Sequence, residues 1–132
     1  MAIEHGTFTL KLLPNNIVLA DAKGPWNIEA VEHYHHDIAE IVASFNGAPW
    51  RHIAILRSET LFMPDVVARL EQHFLWRKKH NVLSDTTILS NSFSENISKQ
   101  QIHRMFEKFD MPHFFANDLD AALKQINELN AL

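Results

Sequence analysis

Apolar and polar positions alternate along Thr7-Phe8-Thr9-Leu10-Lys11-Leu12, the rhythm of a half-buried strand. Pro14-Asn15-Asn16 reads as a turn, and Ile17 to Ala22 as the return strand of an antiparallel hairpin that Gly24-Pro25 ends. The period then changes. Ile28, Val31, Ile38, Ile41, Val42 and Phe45 form one stripe at helical spacing, with Asn27 placed to cap it and Asn46-Gly47-Ala48-Pro49 to stop it. A compact apolar run, Arg51-His52-Ile53-Ala54-Ile55-Leu56, predicts a buried central strand. The loop Arg57 to Met63 follows, and Pro64 opens a helix with Val66, Val67, Leu70 and Phe74 inward and the cations Arg77, Lys78 and Lys79 against its C-terminal dipole.

Thr86 to Ser90 predicts a further strand, and Asn91 to Ile97 a polar loop. Ser98-Lys99-Gln100-Gln101 has capping-box spacing and introduces a helix faced by Ile102, Met105, Phe106 and Phe109. His113 to Ala116 is a short strand. Asn117 or Asp118 caps a last helix striped by Leu119, Ala122, Leu123, Ile126 and Leu129. The order β-β-α-β-α-β-α-β-α implies a single α/β domain over residues 1–132, with helices covering a mixed five-stranded sheet.

Element order, the exit Ala22-Lys23-Gly24-Pro25-Trp26-Asn27 and the closing run from Phe106 through Phe115-Ala116-Asn117-Asp118-Leu119-Asp120-Ala121-Ala122 resemble the SpoIIAA-like superfamily. That superfamily includes the STAS domains of anti-sigma-factor antagonists and a branch similar to CRAL-TRIO lipid-transfer domains. The resemblance implies a non-enzymatic interaction or regulatory module, or alternatively a carrier of a small apolar ligand or lipid. Antagonist domains place a phosphorylatable Asp-Ser motif at the start of the second helix. Here Leu61-Phe62-Met63 is followed by Pro64-Asp65-Val66, so Asp65 stands at or beside the serine position and no such motif is recognisable. An acidic residue is also simply favoured in a helix's first turn.

Composition narrows the chemistry. The 132 residues suit one domain, whose folding buries roughly two-thirds of its unfolded surface. With no cysteine, disulfides and thiolates are excluded and a reducing, cytoplasmic setting is favoured. Met1 to Gly6 shows no basic region leading into an apolar core, and no apolar run approaches the roughly 20 residues of a membrane span. A net charge of −4 argues against nucleic-acid binding. Nine histidines, if all protonated, would carry −4 to +5, so association or solubility should change as pH falls towards 5.

No nucleophile–base pair is legible, and three glycines form no phosphate-binding loop, so neither catalytic residues nor a cofactor are expected. Glu29, His33, His36 and Glu40 lie on one side of the first helix, a spacing that can hold zinc or copper but on a convex, solvated face. The expected ligand or partner contact lies at the carboxyl ends of the strands and comprises Trp26, Ser58, Thr60, Phe62, Met63, Asp65 and Phe93. These aromatics can equally plug the end of the core. Trp76 falls away from the inward sector of its helix, beside Arg69, Gln72, His73 and His80. With Arg69 and His73 it is the expected anchor of a protein interface, a homodimer first of all. It can also fold back onto the body, or stand as a lone exposed aromatic.

Overall fold

The computed structural model describes residues 3–131. Met1 and Ala2, the head of the stretch read for a leader, lie outside the described residues. The elements are β1 (Thr7–Leu13), β2 (Ile17–Lys23), α1 (Ile28–Ala43), β3 (Trp50–Ser58), α2 (Pro64–Lys79), β4 (Val82–Ser92), α3 (Glu95–Glu107), β5 (His113–Phe115) and α4 (Leu119–Asn130). One five-stranded sheet runs β1-β2-β3-β4-β5, with β1 antiparallel to β2 and every other pair parallel. The architecture is the mixed α/β sheet that the hydrophobic pattern implies.

Each strand lies beside the one before it in sequence. Successive right-handed crossovers stepping in one direction put their helices on one face of the sheet. Accordingly α1, α2 and α3 share a face. Their core contains Val31, Val66, Leu70, Phe74, Ile102, Met105 and Phe106, continued by Val18, Ile38, Val42 and Trp50 towards the end of α1. The opposite face is left to α4, whose Ala122 and Ile126 cover Ile17, Leu19, Ile53, Ile55 and Ile88. The period-two alternation of β3 thus sends Ile53 and Ile55 to α4, and Trp50, His52, Ala54 and Leu56 to the other three helices.

Local chemistry sets the boundaries. Asn15 and Asn16 both take the left-handed conformation that the hairpin turn needs. Asn27 caps α1 by accepting the Ala30 N–H at 3.1 Å, and Asp118 caps α4 by accepting that of Ala121 at 2.8 Å. Gly24 is required by close approach: a Cβ there would stand 1.9 Å from the Glu59 carbonyl oxygen. This contact draws together the chain leaving β2 and the chain leaving β3.

Three expectations are corrected. β3 continues through Arg57 and Ser58, which the polar pattern assigns to the loop, because Arg57 pairs with Lys23 on one side and Ser90 on the other. β4 begins at Val82 rather than Thr86 and so takes in Asp85. α3 begins at Glu95, which makes Ser98 a buried residue inside the helix and not its cap; Ser94 holds the N-cap position.

Candidate functional site

On the face covered by α1, α2 and α3, small side chains lie in register across the sheet. Ala20 pairs with Ala54 and Ala54 with Thr87, while Ala22 pairs with Leu56. The roof above them is bulky: Leu70 and Phe74 from α2, and Ile102, Met105 and Phe106 from α3. A row of alanines beneath fixed helices leaves space that the roof does not fill. The result is a cavity of about 100 Å³ with a mostly apolar wall. Close-packed interiors rarely leave voids much larger than a water molecule.

Phe8, Trp26, Tyr34, Ala54, Leu56 and Phe62 are the partly exposed residues of the lining, and Phe8, Trp26 and Phe62 lie near the carboxyl ends of β2 and β3. Trp26 and Phe62 meet with ring centroids 5.3 Å apart. Gln101 holds the Phe62 loop by accepting the Phe62 N–H at 2.8 Å and donating to its carbonyl at 2.9 Å.

The inner end of the cavity is closed by ionisable groups. His52 and Asp85 are register partners on β3 and β4, with His52 Nδ1 2.8 Å from Asp85 Oδ2. That contact lies off the line of a good hydrogen bond, and Asp85 Oδ1 has no partner among the described residues. Arg77, from the last turn of α2, donates from Nη1 to Asp85 Oδ2 at 2.5 Å, from Nη2 to the Tyr34 hydroxyl at 2.7 Å, and from Nε to His73 Nε2 at 2.9 Å. The Tyr34 hydroxyl lies 2.5 Å from His52 Nε2, and His73 Nδ1 lies 2.8 Å from His35 Nδ1.

One arrangement of hydrogens satisfies these contacts. Arg77 only donates, so His73 Nε2 accepts and its hydrogen sits on Nδ1, directed at His35. Tyr34 accepts from Arg77 and donates to His52 Nε2, which places the His52 hydrogen on Nδ1, facing the carboxylate. Burial pushes the His52 imidazole below its usual range, and the Arg77 charge adds to this. Burial first, then Arg77 and His35, take His73 well below it. The Tyr34 hydroxyl is pushed up to about 12, mainly by burial. Burial works against the charge on Asp85, but contacts with His52 and Arg77 outweigh it and hold the carboxyl below its usual range. The cluster is therefore one ion pair, Arg77 with Asp85, solvated by a neutral hydroxyl and neutral imidazoles.

The pattern of the chain hides this cluster. By its position Arg77 is expected to offset the α2 dipole; it is instead buried and paired with Asp85. A signal exists, because Val66, Leu70, His73, Phe74 and Arg77 make one unbroken buried stripe at helical spacing. For Asp85 the only hint is an aspartate inside a strand, where that residue is depleted.

The expected contact residues divide. Trp26 and Phe62 line the cavity. Thr60 is buried, its hydroxyl bonded to those of Ser92 at 2.6 Å and Ser98 at 2.7 Å, so it ties the loop to β4 and α3 and is not offered to a ligand. Ser58 ends β3 with a positive φ of 67° and accepts the Phe93 N–H at 2.9 Å. Asp65 is exposed in the first turn of α2 and accepts the Val66 N–H. Met63 and Phe93 face solvent, 65% and 76% exposed.

Of the expected interface residues, His73 is fully buried inside the cluster and cannot meet a partner. Trp76 is half-buried, stacked on His73 and His80 and edge-on to His35; Arg69 pairs with Glu32 of α1. Glu29, His33, His36 and Glu40 do not converge on one point. His33 turns to Glu4 and Asp37, and His36 to Asp37 and Glu40.

No helix among the described residues is long and apolar enough to cross a membrane. Comparison of the chain with protein-family models, with curated proteins and with solved structures found no match.

Proposed function

We propose that this chain is a non-enzymatic binding domain whose cavity takes one small, largely apolar molecule. The observation that carries this reading is the alanine-floored cavity of about 100 Å³ with the partly exposed Trp26 and Phe62 in its wall. A dry cavity on the order of 150 Å³ holds a benzene-sized guest, so a single ring or a short branched chain suits this one. The Tyr34–His52–Asp85 array looks superficially like a nucleophilic triad. A hydroxyl whose pKa burial raises to about 12 is a poor nucleophile and a poor acid near neutrality, and it is engaged by Arg77. Binding is the better use of such a site. The absence of cysteine suits a cytoplasmic setting, and the element order suits the carrier side of the SpoIIAA-like resemblance.

The test is binding of an environment-sensitive apolar dye, followed by displacement with benzene-sized and longer hydrocarbons and alcohols. Native mass spectrometry of the purified protein checks for a co-purifying guest. Saturable, stoichiometric dye binding that Ala54→Leu abolishes in a folded protein is the expected result. Equal binding by wild type and Ala54→Leu refutes the cavity as the site.

A second reading rests on a different observation. Met63, Phe93 and Ile97 are exposed at the same end of the sheet, at 65%, 76% and 58%. Large apolar side chains grouped on a surface suit a protein partner or a second copy of the chain. In this reading the domain is a regulatory interaction module, and Trp76 and Arg69 offer a further contact for a homodimer. Sedimentation of wild type, of Phe93→Ser with Ile97→Ser, and of Trp76→Ala separates these possibilities without touching the cavity.

A further inference from the structure

Away from the cavity, the end of α3 and the start of β5 bring three metal-ligating side chains together. His103 and Glu107 are one turn apart on α3. The chain then returns through Met111 and enters β5 at His113. His103 Nδ1 and His113 Nε2 come within 2.7 Å, and Glu107 Oε1 lies 3.5 Å from His103 Nε2. One donor atom from each of the three fits within 4.8 Å of the others.

The tautomer of His113 is set by its own loop. Its Nδ1 lies 3.1 Å from the Met111 carbonyl oxygen, which can only accept. Nδ1 therefore carries the hydrogen, and Nε2 presents a lone pair towards His103. A hydrogen bond from the non-ligating nitrogen to a carbonyl is how proteins orient metal-binding histidines. The ring is further held by stacking on Phe106, at 5.5 Å between centroids. This differs from His33 and His36, each of which has both ring nitrogens turned to carboxylates, the Asp37 they share and Glu4 or Glu40.

We propose that His103, Glu107 and His113 bind one divalent transition-metal ion. Zinc sits about 2.0–2.2 Å from nitrogen and oxygen ligands, so two donors on a tetrahedral ion stand about 3.4 Å apart. The imidazoles need to part by less than about 1 Å from their present contact, within reach of a small rotation of the exposed His103 ring. Two imidazoles with one carboxylate favour zinc, copper or nickel over magnesium and calcium, which prefer all-oxygen sites. Three protein ligands leave one position for water or a small exchangeable ligand. The bound ion joins α3 to the edge strand β5 and so stabilises the folded chain by mass action.

The experiment is calorimetric titration of the purified, chelator-treated protein with zinc chloride and, separately, magnesium chloride. One zinc per chain, no magnesium uptake and a higher melting temperature with zinc are expected. His113→Gln, His103→Gln and Glu107→Gln should each weaken zinc binding at least tenfold, whereas the His33→Gln, His36→Gln double variant should bind as wild type does. His103 is exposed, so its variant serves if His113→Gln fails to fold. A folded His103→Gln protein with wild-type zinc affinity overturns the proposal. So does loss of binding in the His33, His36 variant, equal uptake of magnesium, or no zinc uptake by the wild type.

Discussion

Arg77 and Asp85, from the end of α2 and the strand that follows it, form a buried ion pair with side chains only 3% and 2% exposed. Removing one member of such a pair strands the other charge in a medium that solvates it poorly, which costs about 3–5 kcal/mol. Asp85→Asn should therefore lower the melting temperature by roughly 10 °C or more. The double variant Arg77→Met, Asp85→Leu, which leaves no lone charge, should be less destabilised than Arg77→Met or Asp85→Leu alone. Thermal and urea unfolding of the three proteins measure this. Additive losses would mean that the two charges are independent.

Acid sensitivity follows from the imidazoles. His52 and His73 are held below the ordinary value of 6.5 in the folded state, His73 the more strongly. Between the folded and unfolded values the unfolded chain binds more protons, so acid favours unfolding. Their contribution is fully present above about pH 6.5 and is lost as pH falls from there through the folded values. Asp85, also depressed, adds a second loss at lower pH, below its ordinary 3.8. The groups facing His73 are Arg77, His35, Tyr34 and Trp76. Unfolding free energy measured from pH 7.5 to 5 should decline in the wild type and less steeply in His73→Gln. Parallel profiles would exclude His73 as the source.

Filling the cavity should separate binding from stability. Ala54 lies mid-floor, between Ala20 and Thr87. Leucine there occupies space that is vacant, so its effect on stability should stay within about 1.5 kcal/mol while dye binding is lost. Phe62→Ala acts differently. Phe62 both lines the cavity and packs on the core of α2 and α3, so binding and melting temperature should fall together.

The loop after β3 is held by a buried hydroxyl group of contacts among Thr60, Ser92 and Ser98. Thr60→Val keeps the shape and leaves the serine hydroxyls short of a partner, at a cost of about 1–3 kcal/mol. Ser98→Ala should cost a similar amount, and the two together less than their sum, because they share one bond. Denaturant unfolding of the two single variants and the double variant checks this.

Trp76→Ala should lower the melting temperature by several degrees, since the indole stacks on His73 and His80 and packs against the cluster of Val18, Ile38, Val42, Phe45 and Trp50. Sedimentation of the same variant reports whether that side of α2 also holds a second copy.

The order and type of the elements were legible in the sequence because the signals are local. Alternation marks β1. Helical stripes mark α1 to α4. Capping side chains at Asn27 and Asp118 mark starts that do not depend on distant residues. Strand order was partly legible too, since short crossovers leave few alternatives. Boundaries failed where a tertiary partner overrode the local signal. Ser98 carries cap chemistry, yet Thr60 draws its hydroxyl into the core; Arg57 opens a polar-looking run, yet strands on both sides pair with it.

Apart from Trp26 and Phe62 in the cavity wall, the candidate sites belong to the tertiary structure alone. Tyr34, His52, Arg77 and Asp85 come from two helices and two strands, and nothing in their separations along the chain relates one to another. Only the parallel register that sets His52 beside Asp85, and the packing of α2 that carries Arg77 onto both, joins them. The cavity is further still from sequence view, for it is defined by side chains that are small. Ala20, Ala22 and Ala54 look like ordinary strand residues until the sheet aligns them beneath helices held too high to reach the floor. Periodicity tells which face of an element is buried. How completely that burial fills space depends on the summed volumes of facing side chains, and those are known only once the elements are in place.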